Sequence, residues 1–188
     1  EKVVNDWEHY YKNGVRYITC LDSSFSLLPK RLKDICNLLI ERKIDIKWIC
    51  YSRADDLDDL EVCHLMRKAG CVQVQIGIES GSQLVLDNMN KRVTVEQNAK
   101  ALENCRIAGI SSFVTVIVGF PGDDKEQLNQ TMALLKQYPP DFFYACAFNT
   151  RVEYIPILNE ENRKKHGILT NLGSSSGAPY WRHNTMSC

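Results

Sequence analysis

The chain has 188 residues, a length that suits one domain with a substantial hydrophobic core and is short for two. Its 23 basic and 23 acidic side chains cancel, which removes the electrostatic reason to expect a nucleic-acid or anionic-membrane partner. No apolar run approaches the roughly 20 residues that span a bilayer, and no export leader is present, so we expect a cytoplasmic location and no membrane partner.

The eight cysteines have neither metal-ligand spacing nor the loop-rich context of a disulfide scaffold. Cys20, Cys50 and Cys146 fall inside apolar, strand-like runs, and no CxxC or CxxxC pair occurs. We therefore predict reduced thiols that act as small core residues, and no metal ligands in this chain.

The first part of the chain alternates between helical and strand-like patterns. In chain order these are a helix at 3–12, a strand at 15–21, a helix at 29–42, a strand at 46–51 and a helix that begins at Asp58 or Asp59 and ends near Gly70.

The alternation continues up to about residue 148. The segments are a strand at 71–78, a short helix at 83–89, a helix from Thr94 to about Gly109, a strand at 113–118, a helix that begins at Asp123 or Asp124 and ends near Tyr138, and a strand at 142–148. Trp48 and the aromatic residues of 142–148 are predicted to be core. The four histidines (His9, His64, His166 and His183) are interpreted as helix-surface or tail residues rather than ligands.

Strands that alternate with helices about every 30 residues indicate βα units and a parallel sheet. The predicted class is α/β, a partial (β/α) barrel with a mostly parallel sheet and about five strands. A helix precedes the first strand, so we expect that one strand, the first, is missing upstream. We assign 1–158 to this partial barrel and 159–188 to a polar, loop-rich extension that contains a loop at 173–177.

In parallel βα folds, ligands bind at the carboxyl ends of the strands. Asp22 at such an end can accept hydrogen bonds from an ammonium group, and Arg53 can hold a carboxylate with two parallel bonds. Glu79 can accept both hydroxyls of a ribose, and Gly119 and Gly122 let the backbone approach a flat ring. A small zwitterion that carries a ribose, such as S-adenosylmethionine (SAM), has all of these parts.

Several of these strand ends also carry recognisable motifs. Asp22-Ser23-Ser24-Phe25 is similar to a D-D-x-F element with Ser23 in the second position, and 53–55 resembles R-x-D. The run 75–82, followed by Met89 and Lys91, closely resembles G-x-E-S-G-S…M-x-K, and 119–122 resembles a G-x-P-G turn. Together they resemble the cobalamin-associated enzymes of the radical SAM superfamily over residues 1–150. The tail 180–186 faintly resembles the region after the same core.

The resemblance implies a role for each matched residue. Asp22 would bind the methionyl amino group of SAM, Arg53 and Lys91 its carboxylate, Glu79 its ribose, and the turn at 117–122 its adenine. The full set of cofactor-binding candidates is Asp22, Ser24, Ser52, Arg53, Glu79, Ser80, Lys91, Gly119, Pro121 and Gly122, and no residue is assigned a catalytic role.

The resemblance also implies cofactors and partners beyond this chain. A [4Fe-4S] cluster would cleave SAM reductively to a 5′-deoxyadenosyl radical, and its CxxxCxxC ligands would lie outside the 188 residues. Cobalamin would bind through a separate domain, and flavodoxin or ferredoxin would donate the electron. We expect no radical chemistry from this fragment alone.

Other interpretations stay open at this stage. Asp22 can serve as a helix cap, Arg53 can pair with Asp55 or Asp56, and Lys91 can be an ordinary surface lysine. The whole chain can also belong to an ordinary β/α-barrel lyase or to a non-catalytic binding domain derived from a barrel.

Overall fold

A computed structural model of the chain describes residues 1–149, 155–170 and 181–186. Within these ranges the α-helices are α1 Lys2–Lys12, α2 Pro29–Glu41, α3 Leu60–Lys68, α4 Gln83–Asn88, α5 Val95–Ala108, α6 Lys125–Gln137 and α7 Glu160–His166. The strands are β1 Tyr17–Cys20, β2 Lys47–Ser52, β3 Cys71–Glu79, β4 Ser111–Val118, β5 Phe142–Ala147, β6 Leu169–Thr170 and β7 Trp181–Arg182. Short 3-10 helices lie at Asp55–Leu57 and Pro156–Leu158.

The first five strands form one sheet in the sequential order β1-β2-β3-β4-β5. β1 pairs with β2 in parallel, and β2 pairs with β3 in parallel with one irregularity between Trp48 and Ile49. The predicted α/β class with a mostly parallel, five-stranded sheet is confirmed. Among the described strands the sheet does not close into a barrel.

The chain divides into two compact units, which we describe separately. The first comprises Glu1–Ile78, Glu96–Thr115 and Tyr138–Tyr144. The second comprises Glu79–Val95, Val116–Gln137 and the described residues of Ala145–Cys188.

The core of the first unit contains a cluster of three aromatic rings. Trp48 is fully buried in β2, and its ring centroid lies 5.9 Å from that of Trp7 and 5.4 Å from that of Phe25. Its indole Nε1 donates to the Ala69 carbonyl at 2.9 Å, which satisfies the polar atom of an otherwise apolar side chain. The predicted core position of Trp48 is confirmed.

Local signals in the sequence explain where the helices of this unit begin. Pro29 occupies the first turn of α2, where its missing N–H costs no hydrogen bond. Of the two candidate caps of α3, Asp59 is the one whose carboxylate accepts the Glu61 amide, at 3.0 Å.

The prediction that the aromatic run of 142–148 is core is wrong for most of the strand. Phe142, Phe143 and Tyr144 are 55%, 59% and 59% exposed, whereas Phe148, just beyond the strand, is 7% exposed. β5 is at the end of the sheet order, so only one of its edges pairs with a described strand. Aromatic residues favour strands whether or not the strand is covered, so their presence did not predict burial here.

The second unit has its own apolar core. It is formed by Val85, Phe120, Phe148, Ile157, Leu158, Ile168 and Trp181. Within residues 159–188, Asn159 caps the start of α7, where its side chain accepts the Asn162 amide at 2.7 Å. Gly167, with φ of 60°, caps the end of the helix. β6 pairs antiparallel with β7. The loop predicted at 173–177 and Tyr180 lie outside the described residues.

The helices of the described residues are all too short or too polar to cross a membrane.

Candidate functional site

Four of the predicted site residues lie in the first unit, at the carboxyl ends of β1 and β2. The Asp22 carboxylate accepts from Arg31 Nη2 at 3.2 Å, and both side chains are substantially exposed. The Arg53 guanidinium pairs with Asp55, its Nε and Nη2 lying 2.9 and 3.1 Å from the two carboxylate oxygens. This ion pair is the alternative to ligand binding that the sequence left open for Arg53.

The two predicted serines of this unit belong to a hydroxyl network centred on Asp56. Ser24 and Ser26 donate to the same oxygen, Oδ2 of Asp56, at 3.1 and 2.7 Å. Ser26 also shares a short hydrogen bond with Ser52, which is buried. The structure therefore uses both predicted serines to hold the loops after β1 and β2 together. Sequence reasoning missed Ser26 and placed Asp56 only as a possible partner of Arg53.

The other predicted residues lie in the second unit, and Glu79 is the most unusual of them. It ends β3 with φ of 57°, a left-handed conformation that non-glycine residues rarely adopt. Its Oε1 accepts from Lys91 Nζ at 2.7 Å, and both side chains are only about one-fifth exposed. Lys91 lies between Asn90 and Arg92, whose φ values of 52° and 56° are also left-handed. The pair thus joins two segments of unusual backbone conformation, which is typical of functional sites.

The residues after Glu79 dock on α6 through one threonine. The Gly81 amide donates to Thr131 Oγ1 at 2.9 Å, and the Ser80 hydroxyl lies 3.2 Å from the same oxygen. A Cβ on Gly81 would lie 2.6 Å from Thr131 Cα. Glycine is therefore required here for close approach of two backbones, which is a packing reason for the S-G-S part of the motif.

The turn after β4 is held by its own hydrogen bonds and by α4. Gly119 and Gly122 have φ of 79° and 96°, so both use the freedom of glycine. The Asp123 carboxylate accepts the Gly119 amide at 2.8 Å, and Asn88 Nδ2 donates to the Pro121 carbonyl at 3.0 Å. Sequence reasoning missed Asn88, which no motif letter marks. The structure brings Glu79, Ser80, Lys91 and this turn into one unit.

Asp123 is a buried carboxyl whose second oxygen has no partner among the described residues. Burial raises the pKa of Asp123 above its ordinary value, although the hydrogen bond from the Gly119 amide opposes this. The predicted helix cap is its neighbour Asp124, which accepts the Glu126 amide at 2.7 Å. Asp123 therefore shapes the turn and does not begin the helix.

A cavity of about 620 Å³ opens beside this turn, within the second unit. Its described apolar lining comes from Met89, Ile117, Phe120, Cys146, Ala147, Phe148, Ile155, Pro156 and Ile157, and its polar lining from Asn88, Asn90, Asn149 and Asn162. Apolar walls with a few polar groups are typical of pockets that bind small molecules.

The described residues contain no group of three metal-ligating side chains, so they do not fit an iron–sulfur cluster. The seven cysteines of the described ranges are unpaired thiols, and six of them are buried, which agrees with their predicted role as core residues.

Comparisons with known proteins cover most of the chain. The family described as Radical SAM superfamily matches residues 1–135. An uncharacterized methyltransferase of Pyrococcus horikoshii is 30% identical over 71% of this chain and 29% of its own length. An anaerobic magnesium-protoporphyrin IX monomethyl ester cyclase of Rubrivivax gelatinosus is 32% identical over 75% of this chain and 26% of its own. The chain thus spans about a quarter of the length of these relatives.

Two solved structures are similar in fold. The radical SAM methyltransferase TsrM from Kitasatospora setae, with cobalamin and a [4Fe-4S] cluster bound, has a TM-score of 0.78 at 20% identity, over 92% of this chain and 36% of that one. The cobalamin-dependent SAM radical enzyme OxsB, with aqua-cobalamin bound, has a TM-score of 0.64 at 26% identity, over 71% of this chain and 22% of that one.

Proposed function

The chain belongs to the radical SAM superfamily, and on that basis we propose that it forms the SAM-binding part of a radical SAM enzyme. A [4Fe-4S] cluster held elsewhere in such an enzyme would supply the electron for reductive cleavage of SAM to a 5′-deoxyadenosyl radical. The residues of this chain would bind and orient SAM. The observation that supports this proposal most is the environment of Glu79. Its carboxylate is partly buried, and its backbone has a left-handed conformation at the end of β3.

We propose that Glu79 binds the ribose of SAM. A carboxylate accepts hydrogen bonds from two neighbouring hydroxyls, and burial to about one-fifth exposure strengthens such bonds. Lys91 supports this role because its ammonium fixes the orientation of the carboxylate through Oε1. In this proposal Lys91 acts first on Glu79, and its predicted contact with the methionyl carboxylate of SAM is secondary.

The adenine ring would lie against the turn at 117–122. Ile117 and Phe120 line the 620 Å³ cavity, whose volume is within the range of about 300–1,000 Å³ usual for small-molecule sites. The positive φ values of Gly119 and Gly122 and the hydrogen bond from Asn88 to the Pro121 carbonyl fix the backbone shape of this turn. Ser80 contributes by docking its segment on α6.

The methionyl end of SAM would bind to Asp22 and Arg53. Each already has an ionic partner, but the Asp22–Arg31 pair is exposed, and such pairs contribute only about 0–1 kcal/mol. A ligand ammonium group can therefore replace Arg31 at little cost. Ser24 and Ser52 would act by fixing the loops that carry Asp22 and Arg53.

The iron–sulfur cluster, cobalamin and the electron donor are assigned to sites outside the described residues. We propose that the cluster ligands lie outside this chain, that cobalamin binds through a separate domain, and that flavodoxin or ferredoxin supplies the electron. The partial barrel of 1–158 and the extension of 159–188 remain our division of the chain. The unpaired thiols support a reducing, cytoplasmic location.

The test replaces Glu79 with glutamine in the full chain and measures the affinity for SAM by calorimetry. Charge-assisted bonds to the ribose are worth more than neutral ones, so E79Q should weaken binding by about 10- to 100-fold. E103Q is the matched control, because Glu103 also pairs with a basic side chain at 2.7 Å, that of Arg106, but lies on the exposed face of α5. Equal affinities of E79Q and E103Q would refute the ribose assignment.

A further inference from the structure

The C-terminal segment 181–186 contacts the turn after β4 through main-chain carbonyls. Trp181 Nε1 donates to the Phe148 carbonyl at 2.6 Å, and Thr185 Oγ1 donates to the Asp123 carbonyl at 2.5 Å. His183 Nε2 lies 3.1 Å from the Gly119 carbonyl. Three side chains of one short segment thus reach the two ends of the turn and the residue that follows β5.

The hydrogen bonds of His183 define its tautomer. The Gly119 carbonyl lies 3.1 Å from Nε2 and can only accept, so Nε2 must carry a proton. Nδ1 lies 3.4 Å from the Thr185 amide and 3.1 Å from the Thr185 hydroxyl. Nε2 therefore donates to the Gly119 carbonyl. His183 is buried, and burial lowers its pKa, which also favours the neutral ring. The imidazole therefore acts as a neutral, oriented donor to the turn.

Steric contacts add to these hydrogen bonds. A Cβ on Gly119 would lie 2.6 Å from Trp181 Cη2, so glycine is needed here for the approach of Trp181 as well as for its positive φ. The Trp181 ring stacks on His183 at 5.2 Å and meets Phe148 edge-on at 5.5 Å. Phe148 in turn meets Phe120 at 5.1 Å, and both phenylalanines line the cavity. The segment therefore supports both the turn and one wall of the cavity.

We propose that residues 181–186 are a positioning element that fixes the turn at 119–123 in the conformation that receives adenine. The inference rests on the proposed function, because adenine is the ligand assigned to this turn. His183 and Thr185 are positioning residues: they act on the backbone of the turn and not on SAM itself.

The experiment compares two replacements of His183 in the full chain. H183L removes the donor to Gly119, whereas H183Q keeps an amide donor at a similar distance from the backbone. T185V replaces the hydroxyl of an exposed side chain with a methyl group, so it also tests the proposal if H183L folds poorly. R182Q is the control, since Arg182 lies between Trp181 and His183 in sequence but is exposed.

Two quantities are measured for each variant. The first is hydrogen exchange at the Gly119 and Asp123 amides, which bond to Asp123 Oδ2 and to the Phe120 carbonyl. The second is the affinity for SAM. H183L and T185V should speed exchange at both amides and weaken SAM binding by about threefold to tenfold, the effect of one hydrogen bond. H183Q and R182Q should match the wild type in both.

The outcomes separate this inference from the proposed function. Amide exchange at the wild-type rate in H183L and T185V overturns the inference. Exchange and SAM binding as impaired in H183Q as in H183L also overturn it, since His183 would then act through packing alone. Absence of SAM binding by the wild type refutes the proposed function and the cofactor part of the inference. The exchange rates still decide whether the segment fixes the turn.

Discussion

Replacement of Gly81 by alanine should destabilise the protein more than a usual glycine-to-alanine change. Gly81 lies where the segment after β3 meets α6, and its backbone has no positive φ that would itself exclude alanine. The added methyl group would lie 2.6 Å from Thr131 Cα and 2.9 Å from the Gln130 carbonyl oxygen. Both are backbone atoms of a helix, so no change of side-chain rotamer can relieve the contact.

The size of the effect follows from the two ways in which the contact can be relieved. Forcing an extra methyl group into a packed contact costs about 1–3 kcal/mol. If the segment instead moves away from α6, the bonds of Gly81 and Ser80 to Thr131 are lost, at roughly 1 kcal/mol each. We expect a loss of about 2–4 kcal/mol in the free energy of unfolding. For a chain of this size that lowers Tm by about 5–15 °C.

Thermal unfolding followed by circular dichroism measures the effect. G14A is the matched control, because no heavy atom lies within 4 Å of a Cβ built on Gly14, so only its φ of 91° penalises alanine. The control should lose only about 1 kcal/mol. The double variant G81A/T131A should be no more stable than G81A, since the obstacle is backbone. A G81A protein within about 2 °C of the wild type, or its rescue by T131A, would refute the close-approach argument.

Three further predictions concern other parts of the chain. Burial lowers the pKa of His183 below its ordinary 6.5. The stability that the neutral ring contributes is therefore fully present above pH 6.5 and is lost as the pH falls below it. Between about pH 7.5 and about pH 5.5, Tm should drop more in the wild type than in H183Q. Burial raises the pKa of the Cys20 thiol to about 12, so brief alkylation at about pH 8 followed by mass spectrometry should find Cys20 unmodified and the partly exposed Cys146 labelled. W48F removes the donor to the Ala69 carbonyl and leaves a void, which should cost about 2–3 kcal/mol by urea denaturation; an unchanged midpoint would contradict the core assignment.

Most of the fold follows from local sequence signals. Pro29 and Asp59 mark helix starts by backbone chemistry alone. The apolar runs that become β2, β3 and β4 are short and bounded by turn residues, which distinguishes them from helices. The burial of β5 could not be predicted in this way, because its aromatic residues favour a strand in either environment. What covers a strand is decided by elements distant in sequence, which a local pattern does not contain.

The candidate site was predictable to a similar extent. Glu79 and the turn at 119–122 carry motif letters, and their positions at strand ends follow from the βα order. The partners that hold them, such as Asn88 and Thr131, are polar residues on helices and resemble any others in sequence. The sequence indicates only a tail residue at His183, because a lone histidine in a polar stretch gives no sign of burial. Its contact with Gly119 joins residues 64 positions apart, and only the tertiary structure shows it.

The left-handed backbone at Glu79 also bears on attempts to engineer this protein. An L-amino acid in that conformation costs about 1–2 kcal/mol, and glycine adopts it without this cost. On backbone terms alone, glycine at position 79 is therefore a stabilising substitution, yet it would remove the carboxylate to which we assign the ribose. Selection of variants for heat resistance alone would favour loss of the residue that we propose binds the ribose. A thermostabilisation campaign on this protein should hold position 79 constant or select for SAM binding in parallel.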